Sequence, residues 1–348
     1  MLRFGRVFRA VIILGQVIVL YLLAVALMPG LSAKPQPIQP KRDQSDGESE
    51  DENRETCSFA VDGLAVSAWL YQPAAGEGPH PCIVMAHGLG GTKDGGLAPY
   101  AERFQEAGFA VLVFDYRHFG TSSGMPRQLL SVSKQLEDWA AAVDYARTRP
   151  EIDPDRIALW GTSFSGGHVV VTAAQDGRIA CLSAQCPSMD GRANVLKLMR
   201  SAGPIDGLKA IVHGQRDLVR SWLRMSPHKI PIAGQPGTMA LLTTEDAFDG
   251  YSALASETFV NEICARIVIR ADKYRPLTRA RQVRCPGLFQ ICEEDTLLDN
   301  RSTEETARNL DGQATVRRYP IGHFAIYEGV HFEHAISEQI AFFQENLS

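Results

Sequence analysis

The sequence predicts an α/β fold: a mostly parallel sheet of about eight strands with helices on both faces. Three observations predict it. Continuous apolar runs of strand length, such as Cys82–Ala86 and Phe109–Phe114, are of the kind a sheet covered on both faces uses. Segments of helical period alternate with them, which implies crossover connections between parallel strands. A glycine-rich turn joins one strand, Ile157–Trp160, directly to a segment of helical character.

In chain order, Cys57–Val61 and Leu64–Tyr71 are rich in β-formers and joined by Asp62-Gly63, a strong hairpin signal, so the domain opens with an antiparallel ribbon. After the strand Cys82–Ala86 comes His87-Gly88-Leu89-Gly90-Gly91, then a helix over Tyr100–Ala107 that stops at Gly108. Ser133–Arg149 is the clearest helix, with Leu136, Trp139, Ala140 and Val143 on one face and Pro150 ending it. The strand Ile157–Trp160 leads into Gly161-Thr162-Ser163-Phe164-Ser165-Gly166-Gly167, a helix over Val169–Ala174 and a strand over Ile179–Ala184. From about 188 to 280 the alternation lapses into mixed helical and Pro/Gly-rich sequence, which reads as a cap inserted over one end of the sheet. It resumes with the strand Gly287–Ile291, a helix over Thr303–Asn309, the strand Ala314–Tyr319 and a closing helix over Phe332–Asn346.

With 348 residues, 45% of them hydrophobic, the chain can bury one large core. A formal charge of -5 gives no global attraction to nucleic acid, so a nucleic-acid partner is not expected. Seven cysteines without a Cys-x-x-Cys pair or a Cys/His cluster argue against a zinc site, and the odd number leaves at least one thiol unpaired.

Ahead of the fold, Ala10 to Ala33 holds no charged residue and Arg3, Arg6 and Arg9 precede it. Its apolar run, Val11–Met28, approaches the ~20 residues a membrane-spanning helix needs, and the arginines hold the N-terminus in the cytoplasm. The expectation is a signal anchor over residues 1–33 that places the rest on the non-cytoplasmic side. The alternative is a signal peptide cleaved near Leu31-Ser32-Ala33, leaving a secreted or periplasmic protein. Residues 34–56, rich in Pro, Gln, Ser and acidic side chains, read as a disordered tether to the domain over 57–348.

The stretch Gly161-Thr162-Ser163-Phe164-Ser165 fits the nucleophile elbow G-x-S-x-G except at its last position. It lacks the lysine of a phosphate-binding loop and the spacing of a dinucleotide fingerprint. A serine hydroxyl needs a base to accept its proton and a carboxylate to orient that base. The order nucleophile, acid, histidine makes His323, in Gly322-His323-Phe324 after the last strand, the candidate base over His331 and His334 of the closing helix. For the acid, Asp295 in Cys292-Glu293-Glu294-Asp295 leads, with Glu294 and Asp299 as alternatives. Backbone N–H groups of Phe164 and Leu89 are the candidate oxyanion donors. His87 reads as a brace for its loop, with a second base as the alternative, and Asp115, Arg117 and Arg127 as an internal ion pair bracing the loop after the fourth strand, with a grip on a substrate carboxylate as the alternative. Trp222, Phe248, Tyr251, Phe259 and Tyr274 are candidates to line a pocket or to serve as ordinary core.

With these residues placed, the chain resembles the α/β-hydrolase superfamily, in a branch with dienelactone-hydrolase-like and X-Pro-peptidase-like proteins and the fungal polyketide transferases. The resemblance runs from about Cys57 to the C-terminus. It rests on Asp115-Tyr116-Arg117-His118-Phe119-Gly120 with Gly124, Pro126 and Arg127, the elbow and its double glycine, and Gln185-Cys186-Pro187 before Asp190-Gly191. Pro236-Gly237-Thr238, Gly250-Tyr251 and Gly322-His323-Phe324 complete it. The resemblance implies the α/β-hydrolase fold, a triad of Ser163, Asp295 and His323, and no metal or organic cofactor. Two positions depart from the pattern: Ala325 stands where an acidic residue is common, and the elbow carries serine where dienelactone hydrolases carry cysteine. The expected activity is cleavage of a carboxylic ester or thioester on a small-molecule acyl substrate. Acyl transfer to an alcohol or amine, peptide cleavage and a non-catalytic binding role are the alternatives, and the oligomeric state is not legible.

Overall fold

The computed structural model describes residues 2–40, 54–73, 78–310 and 313–348, with side chains from residue 12 onward. A first helix, α1 (Leu2–Leu27), precedes the hairpin β1 (Arg54–Val61) and β2 (Leu64–Tyr71). Next come β3 (His80–Ala86), α2 (Ala98–Glu106), β4 (Ala110–Phe114), α3 (Val132–Thr148), β5 (Ile152–Thr162), α4 (Phe164–Gln175) and β6 (Cys181–Gln185). The cap contributes α5 (Gly191–Ala202), α6 (Pro204–Trp222), α7 (Ala247–Leu254) and a ribbon of β7 (Lys229–Ile230) with β8 (Ile263–Cys264). The chain closes with β9 (Gly287–Cys292), α8 (Asn300–Arg308), β10 (Ala314–Tyr319) and α9 (Gly329–Asn346).

Eight strands form one sheet in the order β1-β2-β4-β3-β5-β6-β9-β10. The hairpin is antiparallel and joins β4 antiparallel; the remaining pairs are parallel. Successive side chains of a strand point to opposite faces, and β3 illustrates the result. Cys82, Val84 and Ala86 enter one core with Trp139 of α3 and Val169 of α4, whereas Ile83 and Met85 enter another with Tyr100 and Phe104 of α2 and Phe343 of α9. An all-apolar strand is therefore the signature of two covered faces, as the sequence implied. Because β3 has β4 on one side and β5 on the other, the chain changes winding direction there. A crevice opens beyond the C-terminal ends of β3 and β5, where open α/β sheets bind ligands.

The second core is not purely apolar. Gln339 of α9, fully buried, donates to Gln185 Oε1 at 3.0 Å and to Gln290 Oε1, and accepts from Trp160 Nε1 at 3.0 Å. Gln290 in turn donates to Tyr319 OH at 2.7 Å. One helix side chain thus ties the middle and far strands together, each amide finding a partner because an unpaired one would be costly.

Among the described residues no helix is long and apolar enough to cross a membrane. The spanning anchor expected over 1–33 therefore finds no support there. What is seen is a helix whose C-terminal end rests on α6 of the cap. Of the expected tether, 41–53 lie outside the described residues. Gln36 is held by Asn261 Nδ2 at 2.7 Å, and Arg54 to Thr56 already belong to β1. All seven cysteines are free thiols.

Phe343 is fully buried with its ring 5.3 Å from that of Phe104. Phe343→Ala is expected to cost about 3–5 kcal/mol through lost burial and a residual cavity. A lowered urea midpoint at unchanged m-value is the readout, and an unchanged midpoint would mean that α9 is not part of the cooperative core.

Candidate active site

Ser163 sits between the end of β5 and the first residue of α4 with φ 55° and ψ -116°. That is a left-handed conformation a side-chain-bearing residue adopts only when its surroundings impose it. The imposition is visible at Gly161, where a Cβ would fall 2.3 Å from the carbonyl oxygen of Ser165. Strand and helix approach so closely that position 161 must be glycine. Ser165, the departure from G-x-S-x-G, is fully buried; its hydroxyl donates to the His87 carbonyl and pairs with Tyr116 OH. A glycine at that place could not make this link between the elbow and the loop after β3.

His323 and Asp295 meet Ser163 from the ends of the last two strands. His323 Nε2 lies 3.1 Å from Ser163 Oγ, and His323 Nδ1 lies 2.6 Å from Asp295 Oδ2. The other carboxylate oxygen of Asp295 accepts the backbone N–H groups of Leu297 and Leu298 at 2.8 and 2.9 Å. Burial works to raise the Asp295 pKa, but His323 and those two N–H groups outweigh it and hold the carboxyl below its ordinary range. Burial likewise works to lower the His323 pKa. The Asp295 carboxylate and the neighbouring Cys186 outweigh it and bring the imidazole up to about 9.

The competing residues take other positions. Glu293 and Glu294 are exposed, and Asp299 caps α8 by accepting from Ser302 N. His334 is exposed on α9 beside Glu338, and His331 lies one turn before it. Phe324 packs its ring 5.0 Å from that of His323. A Cβ at Gly250 would fall 2.2 Å from the Phe324 ring, so α7 reaches the histidine loop only because glycine stands there. Ala325, where an acidic residue is common, begins a short 3-10 turn and contributes no charge.

The loop after β3 brings Gly88 against the elbow, a Cβ there being 3.0 Å from Ser163 Cβ. Leu89 comes next, its carbonyl accepting from Tyr251 OH at 2.8 Å. Phe164 provides the first N–H of α4, which has no acceptor within the helix. His87 braces the loop from inside, its Nδ1 2.9 Å from the Gly88 carbonyl and its ring edge-on to Tyr116.

The ion pair expected among Asp115, Arg117 and Arg127 does not form. Asp115 pairs instead with Lys93 Nζ at 2.9 Å and accepts the Lys93 and Thr121 N–H groups at 2.6 and 3.0 Å. Arg117 pairs with Asp138 of α3, and Arg127 donates to the carbonyls of Ser122 and Gly120. Lys93 was not singled out in the sequence, because a lone lysine in a glycine-rich loop reads as solvated. Here it is only 3% exposed, with its ammonium 4.8 Å from the Trp69 ring centroid, and it ties the loop after β3 to the loop after β4.

Two cavities share Ser163. The larger, about 400 Å³, runs under the cap and is walled by apolar side chains such as Val195, Leu198, Ala210, Ile211, Leu241 and Ile267. The smaller, about 50 Å³, lies on the His323 side and is lined by His87, Phe259 and Tyr327. Tyr251 borders both. Of the other aromatic candidates, Tyr274 is buried against His168, Phe248 lies on α7, and Trp222 is 62% exposed on the outside of the cap. Among the described residues no group of His, Cys, Asp and Glu is arranged to hold a metal ion.

Lys93→Met leaves Asp115 buried and uncompensated, which is expected to cost about 3–5 kcal/mol. Adding Asp115→Asn should recover part of that loss. Denaturant titration of the two variants checks it; equal midpoints for Lys93→Met and the parent chain would remove the ion pair from the fold's support.

Comparison with known proteins fits this geometry. Residues 62–204 match the X-Pro dipeptidyl-peptidase (S15 family) domain. Quorum-quenching protein AidA of Acinetobacter baumannii is 41% identical over 286 residues, 82% of this chain and 92% of its own length. Thiohydrolase aneE of Aspergillus aculeatus is 28% identical over 316 residues, 83% and 92% of the two chains. The crystal structure of the α/β hydrolase GrgF from Penicillium sp. sh18 superposes with a TM-score of 0.71 at 22% identity, covering 84% of this chain and 99% of that one. The parallel sheet, its turn-borne serine and these relatives agree: the chain belongs to the α/β-hydrolase superfamily, as an enzyme of its ester- and thioester-cleaving or acyl-transferring kind.

Proposed function

We propose that the protein hydrolyses a carboxylic ester or thioester with an apolar acyl chain, through an acyl-enzyme on Ser163, with His323 as base and Asp295 orienting it. The observation that carries this reading is the unbroken line from Ser163 Oγ through His323 to Asp295, at 3.1 and 2.6 Å, at the inner end of an apolar cavity. Ser163 Oγ attacks the acyl carbon while His323 Nε2 takes its proton. The tetrahedral oxyanion is met by the N–H groups of Phe164 and Leu89, held in place before the reaction begins. His323 then gives its proton to the departing oxygen or sulfur, and water repeats the sequence to free Ser163.

The arrangement of the two cavities supports one placement for each half of the substrate. The leaving atom must come within reach of His323, so the leaving group lies on the side of the smaller cavity. The acyl chain then enters the larger one, whose volume of about 400 Å³ is in the ~300–1,000 Å³ range of small-molecule sites. Acyl transfer is the second reading, favoured by those same apolar walls, which limit the water available to the acyl-enzyme. Product analysis with added alcohol separates the two: ester products would replace the hydrolysis reading.

Ser163→Ala is expected to abolish labelling by a fluorophosphonate and to lower ester turnover at least about 10³-fold. Persistent labelling would end the assignment. Because only the neutral imidazole accepts a proton, kcat/KM should rise with pH until His323 is deprotonated, near its pKa of about 9. Asp295→Asn removes the anion that favours imidazolium, so the inflection should move to lower pH. An inflection that stays put would remove Asp295 from its role.

Ala210→Trp places an indole inside the larger cavity. At ~0.8 kcal/mol per buried methylene, shutting out four methylenes would cost long-chain esters about 10²-fold in kcat/KM. Acetyl esters should be unaffected, and an equal loss on both would place the acyl chain elsewhere.

A further inference from the structure

We infer that α1 and the outer face of α6 dock into an anionic lipid bilayer, so that the acyl cavity opens at the lipid surface. Docking needs burial of this surface in lipid, not a crossing of it. Delivery of substrate from lipid rests on the catalytic reading above; the docking does not.

The first observation is the state of α1. Ile13, Leu14, Val17, Val19 and Leu20 are each more than half exposed. At about 100° per residue these five positions, extended by Ile18 at 48% exposed, cover an arc of roughly 260° rather than one stripe. Among the described side chains of α1, Val25 and Ala26 alone are buried against the rest of the chain. A helix apolar on all sides is covered in a protein core or in lipid. A second copy of the chain would cover one side and leave the others in water.

The second observation is how α1 is held. Arg216 donates to the carbonyls of Val25 and Met28 at 2.8 and 2.9 Å, and Arg220 to that of Ala26 at 3.2 Å. Tyr21 OH donates to Gln215 at 2.8 Å. These bonds satisfy carbonyls at the helix end and fix α1 to one face of α6. By helical periodicity the same face of α6 carries Ile205 and Leu208, 70% and 62% exposed, and leads to Leu223. The apolar surface of α1 is thus continued by the cap.

The third observation is what lies behind that face. Gly207, Ala210 and Ile211, on the opposite side of α6, line the larger cavity, as do Leu198 and Met199 of α5. Met199 is also 39% exposed, so the cavity reaches the surface beside the apolar face. Charge selects the surface bound. Arg3, Arg6 and Arg9 precede a run free of charge from Ala10 to Ala33, and Arg200 and Arg224 are exposed next to Met199 and Leu223. Apolar side chains flanked by arginines match hydrocarbon beneath anionic headgroups. An amphiphilic acyl ester could then pass from the bilayer past Met199 to Ser163 without entering water.

The test uses the full chain and phosphatidylcholine–phosphatidylglycerol vesicles. The protein should float with the vesicles, and the triple variant Ile13→Glu/Val17→Glu/Leu20→Glu should lose co-flotation at least tenfold. The double variant Ile205→Glu/Leu208→Glu should hydrolyse a water-soluble acetyl ester normally, which also verifies its folding. Against a long-chain ester embedded in the vesicles it should be at least tenfold slower than the parent chain. A full chain that stays at the bottom of the gradient, or an unchanged rate on the embedded ester, overturns the proposal. So does sedimentation as a lipid-free dimer that the Ile205/Leu208 substitutions split. Ser163→Ala should float like the parent, so a failure of the catalytic assignment would leave flotation intact and be told apart from a failure of docking.

Discussion

The constraint on which the rest depends is the approach of α4 to β5 at Gly161, close enough that a single methyl group would collide with the Ser165 backbone. That approach holds Ser163 at positive φ, a conformation that costs a non-glycine residue about 1–3 kcal/mol and persists only where packing imposes it. The consequence is directional: the serine side chain leaves the helix axis and points across the crevice. The other parts of the site come to it. The loop after β3 supplies Gly88 and Leu89, held against the elbow by Ser165, and the loops after β9 and β10 supply Asp295 and His323.

Such a site places buried charge near the ends of strands, and the fold handles it in two separate groups. Asp295 has two local backbone N–H groups and His323 from the loop after β10. Asp115 sits one loop away and has Lys93, with two more N–H groups. Uncompensated, either carboxylate would cost several kcal/mol. Compensated, the Lys93 pair ties the loop that carries the proposed oxyanion donor Leu89 to the loop after β4, while Ser165 ties it to the elbow.

Legibility in the sequence divides along the same line. Strands buried on both faces announce themselves as apolar runs, and the eight-stranded sheet was readable from them. Element ends were less so. The Gly-Gly of the elbow argues against helix, yet α4 begins at Phe164 rather than Val169, because packing on β5 overrides local propensity. Strand β5 begins at Ile152, through an Asp-Pro-Asp-Arg stretch that no periodicity marks. Asp299 could have been set aside from sequence, since an Asp ahead of a helical segment is an N-cap. Lys93 and Gln339 could not: each is a polar residue whose partners lie on other elements, and nothing local separates it from a solvated side chain. The cap resisted reading because the apolar faces of its helices turn toward a cavity rather than a core.

That last point bears on how one helix can serve two surfaces. A helix with a single apolar stripe has one partner, but α6 presents Ala210 and Ile211 to the cavity and Ile205 and Leu208 to the outside. Its remaining positions hold Asp217, buried and paired with Arg266, and Arg216 and Arg220, which grip the end of α1. Polar anchoring at one end leaves the other end of α6, with its Gly207 and exposed neighbours, as the thin wall between acyl site and exterior. Whatever covers that exterior also lies one helix away from the proposed acyl cavity. In the proposed reading hydrolysis and acyl transfer diverge only in which nucleophile reaches the acyl-enzyme, and the covering of this helix bears on that choice without touching the reacting atoms.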